Sequence, residues 1–460
     1  MTEEQLFSYY QQHPLYTTDS RNCPQGSIFF ALKGDHFDGN QYASAALEKG
    51  CAWAVIDDPA YNTSDRCILV PDVLQAFKHL ARAWRRQFHI PIIAITGTNG
   101  KTTTKELIAA VLREKYNVMA TEGNYNNDIG VPKTLLRLNH THEIAVVEMG
   151  ASHPGDIRTL ADTAEPTCGI ITNVGKAHLQ GFGSFQGVMN TKSELYDYLQ
   201  QHLDNHPLVF INDNDPHLLQ MAQTHCPDVP LLRYGQAETQ ANREEQKLAS
   251  TSEAQPKIFN SQFSIFNSRL TSCSPYLHFD WKASDHDQWH SVSTHLVGTY
   301  NLDNLLAAIT IGRHFGVSAD AICHALEHYM PTNNRSQLVE TAHNRLIVDA
   351  YNANPTSMAA ALKNFASMSA AHKMAILGDM RELGDASAEE HQKATDLMQS
   401  LQLDDVWLVG EEFSKTQSPY RKFKDCTEVK AEIQRDQPQN CLILIKGSNG
   451  LKLFELPELL

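Results

Sequence analysis

Short apolar runs closed by glycine or polar residues recur along the whole chain, separated by stretches of helical period. Near the start, Ser27-Ile-Phe-Phe-Ala-Leu32 and Ala52-Trp-Ala-Val-Ile56 have the length of buried strands, with Tyr42 to Lys49 helical between them. The spacing predicts a helix over Val73 to Phe88 with Leu74, Phe77, Leu80 and Trp84 along one side. Ile92 to Ile95 is a β-branched run ending at Gly97; from Thr102 the period turns helical, with Leu107, Ala110 and Val111 on one face. Further strands are expected at 143–149, 168–172, 208–211 and 231–234. This alternation is the rhythm of a parallel sheet covered on both faces. Residues 236–257 are polar and read as a flexible insertion. From 262 to 297 apolar positions alternate, as in antiparallel strands (Phe263, Ile265; Leu277, Phe279, Trp281). An amphipathic helix follows 298–304 and runs to about Phe315. Beyond 331–335 come four more strands, 346–349, 374–377, 406–409 and 442–445, which make a second doubly wound sheet. The expectation is an α/β protein of three domains: a small one over 1–88, a central mostly parallel sheet over 89–330, and a C-terminal Rossmann-like domain over 331–460.

Composition narrows the class. With 42% hydrophobic and 20% charged residues, the 460-residue chain has the makeup of a globular protein. Its net charge of −15 supplies no basic stripe and argues against nucleic acid as a partner. Nine scattered cysteines, an odd number without C-x-x-C spacing, suit reduced thiols rather than a disulfide framework or a zinc site. The acidic Met-Thr-Glu-Glu-Gln start lacks an apolar segment, and no run reaches the length of a membrane span. A cytoplasmic protein without membrane insertion is expected.

Chemistry concentrates where strands end. Gly97-Thr-Asn-Gly-Lys-Thr102 sits between a strand and a helix, where backbone N–H groups and a helix N-terminus cradle phosphates. Lys101 would neutralise the phosphates and Thr102 would offer its hydroxyl to Mg²⁺. The usual Walker spacing asks for glycine at 95, where isoleucine stands, so the loop is the shorter G-x-x-G-K-T. Other strand ends carry Glu148, Thr172-Asn173 and Asn212-Asp213, which a parallel sheet brings to one crevice. Glu148 is either a solvated strand-end carboxylate or a Walker-B-type Mg²⁺ ligand. His178 is one of 22 histidines, and spacing alone does not select it. Lys192 begins what reads as a helix, either as an exposed lysine or as a cation disfavoured there by the helix dipole. The loops Thr18-Asp-Ser-Arg21 and 33–39 mix charge, hydroxyl and glycine without specifying a role.

The motifs GTNGKTTTKE, NYNNDIGVP (124–132), EMGA (148–151), TNVGKAHLQGFGS (172–184), NTKSELY (190–196), GTYNLDN (298–304) and DAYNANPTSM (349–358) resemble, in order and spacing, those of the Mur ligases. YNANP followed by GDMRELG is similar to the family member that joins D-alanyl-D-alanine to UDP-N-acetylmuramoyl-tripeptide; the D-N-P-R signature of the diamino-acid-adding member is not seen. A neighbouring step of the family, a folylpolyglutamate-synthetase-like ligase, a P-loop kinase and a nucleotide-gated binding module are the alternatives.

The resemblance implies ATP-driven amide formation through an acyl phosphate. ATP would lie on Gly97, Thr98, Asn99, Gly100, Lys101, Thr102 and Thr103, with Asn301 and Asn304 at adenine and Arg335 and Asp349 reaching phosphates and ribose. It implies two Mg²⁺ ions, one on Thr102 and Glu148, the other on Glu148, His178 and a carbamylated Lys192. Asp19, Ser20, Arg21, Lys33 and Gly34 match loops that hold the uridine nucleotide. Asn124, Asn126 and Asn127 belong to a substrate loop, and Asn352 to the region that meets the dipeptide. A monomer whose domains close on the site is expected. Departures from the family pattern are Asn40 where histidine is common, Asp128 for glutamate, and Ser336 where methionine or glycine is usual.

Overall fold

The computed structural model describes residues 3–34, 36–236, 267–283, 287–332, 335–403 and 405–460. The polar stretch from 237 onward, with Phe263 and Ile265, lies outside the described residues. Near the N-terminus, strands β1 (Tyr16–Thr17), β2 (Ile28–Phe30), β3 (Trp53–Ile56) and β4 (Cys67–Leu69) form a parallel sheet in chain order. Helix α1 (Val73–Arg85) follows, capped by the Asp72 side chain, which accepts from the Gln75 N–H.

The central sheet holds β5 (Ile92–Thr96), β6 (Val118–Ala120), β7 (Ile144–Glu148), β8 (Cys168–Ile171), β9 (Leu208–Asn212) and β10 (Leu231–Tyr234). Its order is β10-β9-β8-β5-β7-β6, and every pairing is parallel. The period of two along β5 sorts its side chains into two cores. Ile92 and Ala94 pack with Phe30, Phe77 and Tyr10, so the N-terminal unit shares a core with this face. Ile93 and Ile95 pack on the other side with Leu107, Phe210 and Trp281. That second core gathers α2 (Lys101–Arg113), the antiparallel strands β11 (Asn267–Cys273), β12 (Leu277–Lys282) and β13 (His290–Ser293), and α4 (Asn301–His314); α3 (Phe185–Gln201) covers the first face.

In the C-terminal region, β14 (Gln337–Glu340), β15 (Arg345–Asp349), β16 (His372–Gly378), β17 (Asp405–Val409), β18 (Arg421–Phe423) and β19 (Cys441–Lys446) are ordered β14-β15-β19-β16-β17-β18. Only the β14–β15 pairing in this sheet is antiparallel. Helix α5 (Pro355–Ser367) leads from β15 toward β16. Three more strands join the two large sheets than the apolar pattern predicts: β6, β14 and β18. Each is a sheet edge of three or four residues, and two mix charged or amide residues with apolar ones (Gln337-Leu-Val-Glu340, Arg421-Lys-Phe423). β14 and β18 are half-covered edges that need no apolar run to hold their place, whereas β6 (Val118-Met-Ala120) is apolar and buried but only three residues long. Among the described residues no helix is long and apolar enough to cross a membrane.

Both large sheets reverse their order of addition at an inner strand. In the central sheet β5 is flanked by β7 and β8, and in the C-terminal sheet β19 is inserted between β15 and β16. Ligand crevices open at the carboxyl ends of strands at such switch points. Here the two crevices face each other across one cavity of about 900 Å³.

Candidate active site

The first wall grows from β5. Gly97 has φ 139°, and a Cβ there would lie 2.1 Å from Thr172 Oγ1; Gly100 has φ 77°, and its Cβ would lie 2.7 Å from Asn304 Oδ1. Glycine is required at both places by backbone sign and by the neighbour. The loop is latched to the end of β8: Thr172 Oγ1 donates to the Asn99 carbonyl at 2.6 Å, and the Asn99 N–H donates to Asn173 Oδ1 at 3.0 Å. Helix α2 therefore begins with its N–H groups toward the cavity, the arrangement that favours phosphate. Lys101 Nζ donates to the carbonyls of Gly97 (2.8 Å) and Thr98 (3.1 Å), and burial lowers its pKa. Behind the loop, Thr104 Oγ1 donates to Asn304 Oδ1 at 3.0 Å, Asn304 to Asn301 at 2.9 Å, and Asn301 to the Val297 carbonyl at 2.9 Å.

Glu148 ends β7 and is 1% exposed. Its Oε1 accepts from Thr102 Oγ1 at 3.1 Å and from Asn126 Nδ2 at 2.8 Å. Its Oε2 is buried without a hydrogen-bond partner. A buried carboxylate oxygen left unpaired is costly in a native fold, and a divalent cation satisfies it. The donor set of carboxylate, threonine hydroxyl and backbone suits Mg²⁺, so the residues present fit the group.

Lys192 corrects an expectation. It does not begin a helix: α3 starts at Phe185, where the Ser184 side chain accepts from the Gly187 N–H at 3.0 Å, two turns before the lysine. Gly187 and Asn190 dilute the helical signal in the sequence, while the cap and burial against the sheet override it. The dipole argument falls, and burial replaces it. Lys192 is 3% exposed, its ammonium 5.4 Å from the Phe182 ring centroid, and it forms no ion pair among the described residues. Its pKa falls to about 7, first through desolvation and then through Lys101.

The opposite wall comes from the C-terminal sheet. Asp349 pairs with the buried Lys446 at 2.6 Å, across the β15–β19 register, and the same ammonium donates to the Asn352 carbonyl at 3.3 Å. Arg335 lies 4.0 Å from the Tyr351 ring centroid, its Nε buried and unpaired. Ser336 next to it takes φ 49°, a glycine-like conformation where the family pattern often has glycine, and its hydroxyl bonds the Tyr300 hydroxyl at 2.7 Å. Asn354 caps α5 and also donates its amide to Asn99 Oδ1 at 2.7 Å, joining the walls.

Thr98, Asn99, Gly100, Lys101, Thr103, Asn124, Asn126, Asn127, Glu148, His178, Asn301, Asn304, Arg335, Asp349 and Asn352 line the cavity together. Gly97, Thr102 and Lys192 are not among the lining residues, and the last two are buried. Asp19, Ser20, Arg21, Lys33 and Gly34 are not in its walls. Asp19 and Arg21 form a two-armed ion pair at 2.8 Å, which holds the Asp19 carboxyl below its ordinary pKa, and the Ser20 carbonyl accepts from Lys49. Lys33 pairs with Asp57 at 2.7 Å, and the fully buried Asn40 bridges Asp38 and Asp57. Gly34 sits under the Phe37 ring. Sequence reasoning did not single out Lys446, Arg381 or Glu382 at the cavity, and carried Asn354 only as part of the loop after Asn352. A lysine closing an apolar strand was the available signal for Lys446.

Comparison with known proteins now adds to the geometry. The Mur ligase catalytic-domain description matches residues 15–85, the Mur ligase middle domain 95–312, and the Mur ligase glutamate ligase domain 334–449. The UDP-N-acetylmuramoyl-tripeptide–D-alanyl-D-alanine ligase of Bacillus subtilis (strain 168) is 33% identical over 455 residues, covering 95% of this chain and 91% of the relative. The chain belongs to the Mur ligase family. Among solved Mur ligases, MurF from Acinetobacter baumannii superposes with TM-score 0.80 at 28% identity, covering 96% of this chain and 92% of that one. MurF from Thermotoga maritima, solved in complex with ADP, shares the fold at TM-score 0.81 and 24% identity, covering 97% of this chain and 96% of that one.

Proposed function

We propose that this Mur ligase joins D-alanyl-D-alanine to UDP-N-acetylmuramoyl-tripeptide at the expense of ATP, releasing ADP and phosphate, and that it works in the cytoplasm as a monomer. One observation carries the reading: a phosphate-binding loop with an orphaned acidic oxygen faces, across one cavity, a second strand-end crevice bearing Asn352 and Arg335. Activation and acceptor sites then share a single space.

The tripeptide's terminal carboxylate oxygen forms a bond to the γ-phosphorus while the bond to the β-phosphate oxygen breaks and its electron pair leaves with ADP. The dipeptide's amine, as the free base, then attacks the acyl carbon, the C–O bond to phosphate breaks, and the amine proton is released. Carboxylate and triphosphate repel strongly once desolvated. Lys101 supplies fixed positive charge, the α2 N-terminus orients the phosphates, and Arg335 adds charge from the far wall. Thr102 and Glu148 would hold one Mg²⁺, and Glu148, His178 and Lys192 a second. When bound, these ions supply the charge that lets the two anions approach. Lys192 serves as a ligand only if modified: its neutral amine adds CO₂ to give a carbamate and a proton. A pKa near 7 makes the neutral amine available, and a carbamate beside Lys101 turns cation–cation repulsion into attraction.

The decisive assay is ATP-dependent phosphate release with UDP-N-acetylmuramoyl-tripeptide, with and without D-Ala-D-Ala. Release is expected only with the dipeptide. Release that ignores it ends the ligase reading, and preference for a single amino acid or a folate acceptor selects a neighbouring ligase instead.

A further inference from the structure

Glu382 lies in the Gly378–Gly384 loop after β16, on the C-terminal side of the cavity, yet its carboxylate meets Nδ1 of His178 on the central side. Both residues hold positive φ, 63° and 49°, a conformation that non-glycine residues adopt only when their surroundings enforce it. The surroundings do so. The Met380 N–H donates to His391 Nε2 at 3.0 Å, the Arg381 N–H to Ser448 Oγ at 3.2 Å, and Asp379 accepts from the N–H groups of Glu412 and Phe413 at 3.0 and 2.8 Å. On the facing side, the Gln180 N–H donates to the Glu382 carbonyl at 3.3 Å, and Leu179 packs into the C-terminal core. The histidine's Nδ1 is sealed from solvent and makes no well-directed hydrogen bond among the described residues; the Glu382 carboxylate is the acceptor that stands against it, while the residue lines the cavity.

We infer that Glu382 is a positioning residue: with the C-terminal domain docked, its carboxylate accepts from His178 Nδ1–H, fixes that tautomer and leaves Nε2 as the nitrogen free to ligate the second Mg²⁺. This rests on the reading of His178 as a metal ligand. Histidines that ligate metals commonly donate their other N–H to a carboxylate, which fixes the ring and raises its basicity. What is particular here is that the carboxylate comes from another domain. Domain docking thereby sets the tautomer of a central-domain ligand.

The test uses full-length protein labelled with [¹⁵N]histidine and free of metal, with the His178 signal assigned by its loss in His178→Ala. Wild type is expected to show the Nδ1–H tautomer, and Glu382→Ala a shift toward Nε2–H, the form preferred in water. In turnover, Glu382→Ala raises the Mg²⁺ concentration for half-activation about tenfold, with the ATP KM at saturating Mg²⁺ unchanged. Glu382→Gln, which keeps an acceptor oxygen, restores most of both. An unchanged tautomer in Glu382→Ala overturns the inference, as does a parallel loss in every kinetic constant that Glu382→Gln does not repair. If His178→Ala leaves the Mg²⁺ dependence untouched, the ligand reading falls and the inference with it; a tautomer shift still present in metal-free Glu382→Ala tells that failure apart.

Discussion

The two crevices that share the cavity handle charge in opposite ways. On the C-terminal wall, Asp349 and Lys446 neutralise each other. On the central side, among the described residues, Lys192 is buried next to the wall with no ion-pair partner, the Lys101 ammonium hydrogen-bonds to carbonyls, and Glu148 keeps an oxygen without a hydrogen-bond partner. Ionised groups are rarely left so in a protein interior. The central wall holds unbalanced charge that triphosphate, metal and carbamate would balance. The C-terminal wall, with Arg335, Arg381 and Lys446 against Asp349 and Glu382, carries charge of both signs and suits a zwitterionic dipeptide. Activation chemistry thus belongs to the wall that is electrostatically unfinished.

The sharpest way to break this contrast is to remove the unpaired lysine. Lys192→Ala is expected to lower turnover by about 10³-fold or more, with folding intact; near-wild-type turnover would sink its role. Glu148→Gln keeps the hydrogen bond from Thr102 but removes the charge of the orphaned oxygen. We expect about a 10²-fold loss in kcat with a raised Mg²⁺ requirement, whereas an unchanged requirement would show that the oxygen is not a ligand. Gly97→Ala meets Thr172 Oγ1 at 2.1 Å in a strained backbone region. It should cost about 1–3 kcal/mol, read as a Tm drop in thermal denaturation together with weaker ATP binding.

Smaller effects probe the join between the walls. Asn354→Ser keeps a cap on α5 but loses the amide that reaches Asn99. A loss of about 1 kcal/mol, or roughly fivefold in the dipeptide KM, is expected, and scattering with nucleotide should show a less compact particle. A pH slope gives a separate readout. Unmodified, Lys192 has a folded pKa near 7 against 10.5 in the unfolded chain, so between those values the unfolded state binds more protons. Stability therefore rises with pH across that window, by at most about 1.4 kcal/mol per unit, and falls as the lysine is protonated. Lys192→Met should flatten that slope in denaturant titrations; an identical slope would place the lysine's proton elsewhere.

How far the chain could be read in advance depends on the range of the signal. Strands β5, β7, β8 and β9 announce themselves because each is buried on both faces and must be apolar throughout. β14 and β18, half-covered and mixed with charged or amide residues, do not, and β6 is buried but too short to stand out. Lys192 was singled out for its place at a helix start; the structure puts it two turns inside the helix and supplies burial beside Lys101 instead. Asp349 was legible as a strand-end acid, but its partner Lys446 lies 97 residues away. It becomes a neighbour only because β19 inserts beside β15.

By itself the sequence determined what is local: strand and helix periods, the glycines of the phosphate loop, the capping residues, and the acid at the end of β7. These follow from backbone sterics and side-chain patterning within a few residues. Tertiary structure decided what is shared between distant segments: that two switch points face each other, that Asn354 meets Asn99, that Glu382 meets His178, and which charges stay unpaired. Strand order and domain docking set those relations, because long-range pairing energies depend on the assembled fold rather than on any stretch of chain.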